Sequence, residues 1–105
     1  MMPVEYHPSA REEAKEAYLY LADKDEELAL DFEKKVQEAV QLIRRDPLAW
    51  RVRAFNVRRV NLPRFKEQYI AYMIWREKVV ILAVAHAKRR PYYWRNRIGE
   101  ARKMF

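Results

Sequence analysis

The chain has 105 residues, half of them hydrophobic, with no cysteine and two well-separated histidines, His7 and His86. That length fits one domain spanning residues 1–105, while the composition excludes disulfides and thiolate metal sites, fits a reducing cytoplasm and leaves no metal-ligand spacing. The formal charge of +7 is unevenly spread: residues 1–50 carry 7 basic and 12 acidic side chains, net −5, and residues 51–105 carry 15 basic and 3 acidic, net +12, which directs the second half toward an anionic partner.

The N-terminus, MMPVEYHPS, lacks the basic start and apolar core of a signal peptide. No apolar run approaches the roughly 20 residues that cross a bilayer, and no long basic amphipathic helix in the second half suits a membrane surface. Val4 to Tyr6 reads as a short strand ended by Pro8. Ser9 and Glu12 have capping-box spacing, so a helix is expected from Ala10, with Ala10, Ala14, Ala17, Tyr18 and Leu21 on one face. Ala22 to Asp25 breaks that pattern, and Asp23 or Asp25 is placed to cap a second, longer helix. Leu28, Phe32, Val36, Ala39, Val40 and Ile43 form its apolar stripe, Arg44 and Arg45 suit its C-terminal end, and Pro47 closes it. So short a link implies an antiparallel helical hairpin.

From Leu48 to Arg53 no pattern is evident. Phe55 to Leu62 is expected to form one strand carrying Arg58 and Arg59, followed by a loop at residues 63–67. Gln68 to Trp75 is the next strand, Arg76 to Lys78 a turn, and Val79 to His86 a strand free of charge and buried on both faces. Three strands with short connections imply an antiparallel meander. After Trp94, RNRIGEARKMF reads as a short helix or a basic tail. The expected fold is α+β: an N-terminal strand and an antiparallel helical hairpin packed on one face of a small antiparallel sheet. The other face is expected to stay open, with Arg58 or Arg59, Arg64 and the Lys88–Trp94 segment converging on it.

The last strand runs directly into Lys88, Arg89, Arg90, Pro91, Tyr92, Tyr93 and Trp94. Cations neutralise phosphates and aromatic faces stack on bases, so this segment is the main functional signal. The competing interpretation is a solvated basic turn whose aromatics fold back on the core. Arg58 and Arg59 are strand neighbours and point to opposite faces; Arg59 shares parity with Val57 and Asn61, which favours it for the open groove. His86 suits proton transfer by residue type, but alternation places it with Val80, Leu82 and Val84, on a face the helices would cover.

The chain resembles the RelE/ParE superfamily, the toxins of type II toxin–antitoxin systems, also described as plasmid-stabilisation proteins. The likeness runs in order through VEYHPSAREE (4–13), the hairpin ending in Asp46-Pro47, RRVNLPRFKEQYIAYMI (58–74) and VVILAVAHAKRRPYYWRNR (79–97). It implies a cytoplasmic toxin with no cofactor, and a cognate antitoxin whose acidic or flexible segment wraps it. In RelE-like members the implied target is the ribosome and its mRNA, which they cut as endoribonucleases; in ParE-like members it is DNA gyrase, inhibited without catalysis. Carried over, the late basic residue is Lys88 or Arg89, and the late aromatic is Tyr93 with Trp94 beside it. The central-strand arginine of the nucleases meets Tyr69 or Gln68 here, and the Phe-Pro-Tyr of many relatives is Phe65-Lys66-Glu67. The reading that follows is mRNA cleavage in a basic groove. Tyr93, His86 and Arg59 are its catalytic candidates, and Arg58, Arg64, Lys88, Arg89, Arg90 and Trp94 bind RNA or the antitoxin. A gyrase inhibitor and a non-toxic nucleic-acid-binding module are the alternatives.

Overall fold

A computed structural model describes all of residues 1–105. The elements in chain order are β1 (Val4–Tyr6), α1 (Pro8–Lys24), α2 (Glu26–Arg45), β2 (Val52–Ala54), β3 (Val57–Asn61), β4 (Gln68–Trp75), β5 (Lys78–His86) and α3 (Asn96–Met104). The architecture is α+β, as the sequence implies: two helices pack on a five-stranded sheet ordered β1-β5-β4-β3-β2. β1 lies parallel to β5 and the remaining pairs are antiparallel. No helix is long and apolar enough to cross a membrane.

Helix α1 begins two residues before the Ser9–Glu12 box would start it. Pro8 opens the helix rather than only ending the strand, because its missing N–H falls where no intrahelical acceptor exists. The cap is His7, whose Nδ1 accepts the Ser9 N–H at 3.0 Å. Asp25 alone makes the hairpin corner. Its backbone N–H closes α1 on Leu21 O at 2.8 Å, and its side chain caps α2 through the Glu27 N–H at 3.0 Å. The expected stripe of α2 is buried from Phe32 to Ile43; at its start Leu28 is only partly buried, and Ala29 beside it takes the core position.

The expected strand from Phe55 to Leu62 is instead a hairpin. β2 and β3 pair Ala54 with Val57, and Phe55 and Asn56 between them take φ of 55° and 64°. Positive φ at both central residues is what a type I′ turn requires, and here it is met without glycine. Arg76 and Glu77, at 51° and 63°, make the same turn between β4 and β5.

β5 is buried on both faces from Val79 to Ala85. Its alternation is broken once: Tyr72 pairs with Ile81 but Ala71 pairs with Ala83, so Leu82 is an extra residue. The bulge moves Val80 and Leu82 to the opposite face from Val84, against strict alternation. Val79, Ile81 and Val84 join the 13-residue core under the hairpin, with Phe32, Ile43 and Tyr72. Val80, Leu82, Ala83 and Ala85 join an 11-residue core on the second face, with Tyr69, Met73, Trp94 and Ile98. That second face is therefore not open across its width. The segment after β5 crosses it, and Trp94 and α3 cover the β4–β5 half. Only the part nearer β2 and β3 remains accessible.

Candidate functional site

On the accessible part of the second face, Arg59 projects from β3 over the Tyr69 ring, its guanidinium carbon 3.9 Å from the ring centre. Its Nε also donates to Asn61 Oδ1 at 2.9 Å. Arg59 and Asn61 are two residues apart on one strand and share a face, so the carbonyl group of Asn61 orients the guanidinium. The Tyr69 hydroxyl accepts from Trp94 Nε1 at 3.2 Å. Trp94 meets Tyr92 edge to face at 5.8 Å, and Tyr92 meets Phe55 in the same way at 5.6 Å. Four rings thus run from the buried sheet out to the tip of the β2–β3 hairpin. Arg95 lies 4.8 Å over Phe55. A cation on a ring face contributes about 0.5–1 kcal/mol at exposed sites, enough to orient the guanidinium but leave its edges available.

Beside this row is a cleft lined by Arg53, Arg58, Arg59, Arg89, Tyr92 and Trp94 among others, with four arginines and no carboxylate. An arginine presents a planar fork of donors matched to phosphate or carboxylate oxygens. The cleft is chemically an anion receptor. Arg58 borders it, but its own strong bond is on the hairpin side, where Nη1 donates to the Trp50 carbonyl. Trp50 in turn packs edge-on against Tyr72 at 6.5 Å.

The remaining candidates lie elsewhere. Arg64 is turned to the hairpin, where Nη1 is 2.7 Å from Asp31 Oδ2 on α2. That bond holds the Asp31 carboxyl below the usual carboxylate range. His86 shares the Val84 side of the strand and borders a depression formed with Ala17, Leu21 and Phe65. Its Nδ1 accepts the Lys88 N–H at 3.1 Å, and its Nε2 is 3.1 Å from Glu67. The tautomer follows: Nε2 carries the proton and donates to Glu67. Lys88 Nζ is 3.8 Å from the same carboxylate. Arg90 is exposed and borders a second depression with Phe55, Tyr92 and Arg95.

Tyr93 lines the same second depression as Arg90, but its hydroxyl is turned to the free edge of β5. β1 ends with Tyr6 opposite Ile81, so the next backbone groups on that edge lack a strand partner. Side chains replace it. Leu82 O accepts from Arg97 at 3.0 Å and the Val84 N–H donates to Glu13 at 3.1 Å. Arg97 grips Glu13 with two nitrogens, at 2.8 and 3.1 Å, and the Tyr93 hydroxyl donates to Glu13 at 2.5 Å. Burial, with Glu13 adding to it, pushes the Tyr93 hydroxyl well above its ordinary pKa. Arg89, from the arginine cleft, lies 4.0 Å over the Tyr93 ring.

The expected convergence is therefore partial. Arg59, Arg89 and Trp94 come together, with Arg58 at the border. Arg64, His86 and Lys88 group around Asp31 and Glu67, and Tyr93 is bound to Glu13. Arg53, Phe55 and Arg95 complete the accessible face with Tyr92, and these three are absent from the residues singled out by sequence. Tyr92 was visible within the basic aromatic segment, but nothing local to Phe55 marks it as a turn residue that faces position 92.

Comparison with known proteins adds one match. The family described as "ParE toxin of type II toxin-antitoxin system, parDE" matches residues 4–91. No curated protein matches the chain.

Proposed function

The chain belongs to the ParE toxin family of type II toxin–antitoxin systems, and on that premise we propose that it acts by binding DNA gyrase through its arginine face, without cutting RNA. Family membership implies a cognate antitoxin. The observation that carries the mechanistic reading is the commitment of the proton-transfer groups. Cleavage by a ribose 2′-OH needs a base and an acid at the same phosphate. The Tyr93 hydroxyl is bound to Glu13. Both nitrogens of His86 are engaged, one by Glu67 and one by the Lys88 N–H. His86 also lies on the hairpin side of the sheet, whereas Arg59 stacks on Tyr69 on the other. The arginine cleft retains the means to hold an anionic surface, and its lining includes neither His86 nor Tyr93.

The test is a paired assay with purified protein. Gyrase supercoiling of relaxed plasmid is measured against toxin dose, and cell-free translation mixtures are mapped for new mRNA 5′ ends. The expected outcome is inhibited supercoiling with intact mRNA. Ribosome-dependent cleavage with unaffected supercoiling overturns the reading in favour of an endoribonuclease. No effect in either assay removes both.

A further inference from the structure

We infer that Tyr92, braced edge to face by Phe55, is a stacking surface for single-stranded nucleic acid, so that the arginine face contacts polynucleotide directly. This rests on reading that face as the one that engages the target. Both rings are large and about half exposed, Phe55 at 46% and Tyr92 at 45%. Both residues are held at positive φ, 55° and 59°. A bulky L-residue in that region is an outlier, yet both rings remain about half exposed. The two strained positions, in separate parts of the chain, bring these rings to 5.6 Å from each other at the surface.

Charge surrounds the pair on both sides. Tyr92 and Pro91 form a ridge shared by two depressions. One is the arginine cleft containing Arg53, Arg59 and Arg89, and the other holds Arg90 and Arg95 beside Phe55. Neither depression is lined by a carboxylate. A strand with one base on the ridge places a phosphate toward each depression. Stacking requires an unpaired base, whereas a duplex offers only its phosphates and groove edges to so short a ridge. An acidic protein segment would pair with the arginines but offers no planar group to stack on the exposed face of Tyr92. Single-stranded nucleic acid uses both features.

The experiment is fluorescence anisotropy without gyrase, using short labelled oligo(dT), oligo(U), a duplex of equal length and a labelled polyglutamate peptide. Single strands are expected to bind more tightly than the duplex or the peptide, and the dT and U arms identify which polynucleotide is preferred. Tyr92→Leu keeps an apolar side chain and is expected to weaken single-strand binding about tenfold, while Tyr92→Phe retains it. Arg53→Ser and Arg90→Ser are each expected to reduce the log–log salt slope by about 0.7. Circular dichroism confirms that the variants are folded. Single-strand affinity unchanged in folded Tyr92→Leu overturns the inference, as does preference for the duplex or for polyglutamate. Gyrase inhibition by a protein that binds no single strand removes this inference and leaves the gyrase reading standing. Single-strand binding with no effect on gyrase supports it and removes the gyrase reading.

Discussion

The Tyr93 hydroxyl donates to Glu13 Oε2 at 2.5 Å, joining residues 80 positions apart at the free edge of β5. Glu13 at the same time holds Arg97 and the Val84 N–H. This carboxylate closes the sheet edge that β1 is too short to cover, and fastens the C-terminal segment to α1. Removing it strands a largely buried guanidinium, a hydroxyl and a backbone donor together. Glu13→Ala is expected to destabilise the fold by about 3–5 kcal/mol in urea unfolding, the cost of leaving one partner of a buried pair alone. Tyr93→Phe removes one bond to a charged acceptor and is expected to cost about 1.5–2 kcal/mol. A smaller loss for Glu13→Ala than for Tyr93→Phe contradicts this description of the edge.

Arg59 and Arg89 lie on ring faces at the surface, and neither belongs to a buried ion pair. Serine at each position is expected to lower stability by no more than about 1 kcal/mol per site. Toxicity on induction in growing cells is expected to be lost in the double variant. The same substitution at Arg64, which is tied to Asp31 on the hairpin side, is expected to leave toxicity in place. Growth arrest by the Arg59→Ser/Arg89→Ser protein at equal expression speaks against the cleft.

Tyr72 supplies a pH dependence. Its hydroxyl donates to the Pro47 carbonyl at 2.6 Å. Burial, opposed by Arg58 and aided by Asp46, pushes its pKa up to about 12. The unfolded tyrosine ionises near 10, so between about pH 10 and 12 the unfolded chain has released a proton that the folded chain keeps. This contribution is complete below pH 10 and is lost as pH rises toward 12. Tyr72→Phe is expected to flatten the alkaline fall in stability, followed by thermal unfolding across that range. An equally steep fall in the variant assigns the dependence to other groups.

The β4–β5 turn places Arg76 and Glu77 at positive φ with no glycine. Glycine adopts that conformation without a Cβ penalty, although it also loosens the unfolded chain. Glu77→Gly is expected to raise stability by about 0.5–1 kcal/mol, with activity unchanged. Phe55→Gly relieves the same strain in the other hairpin but removes a surface ring, and is expected to separate stability from function. Equal loss of activity in both variants indicates that turn geometry, not the Phe55 ring, is what matters.

The elements legible in the sequence are those whose burial leaves a local pattern. The stripe of α2 is legible from periodicity, β5 from its uncharged run, and the end of α2 from Asp46-Pro47; the sequence narrows the cap to Asp23 or Asp25, and the fold uses Asp25. β2 escaped because Val52–Ala54 is three residues long, lies at the sheet edge and has no fully buried position. Its turn uses phenylalanine and asparagine, where a glycine would have revealed it. Alternation placed Arg59 correctly, on a strand with no irregularity in its pairing to β4. It failed for Val80 and Leu82, because a single inserted residue reverses parity without any sign in composition. Tyr93 and Glu13 could not be paired from sequence, since nothing local links an α1 carboxylate to a tyrosine 80 residues later. Tyr93, His86 and Arg59 are grouped by the family's pattern, while in the fold their polar groups meet different partners, Glu13, Glu67 and Asn61.

The most direct measurement is the dose dependence of gyrase supercoiling inhibition for three proteins: the wild type, Tyr93→Phe and Arg59→Ser/Arg89→Ser. Action by binding through the arginine face gives superimposable curves for wild type and Tyr93→Phe and a flat one for the double variant. Inhibition by the double variant equal to wild type, or a folded Tyr93→Phe protein that has lost all activity, contradicts it.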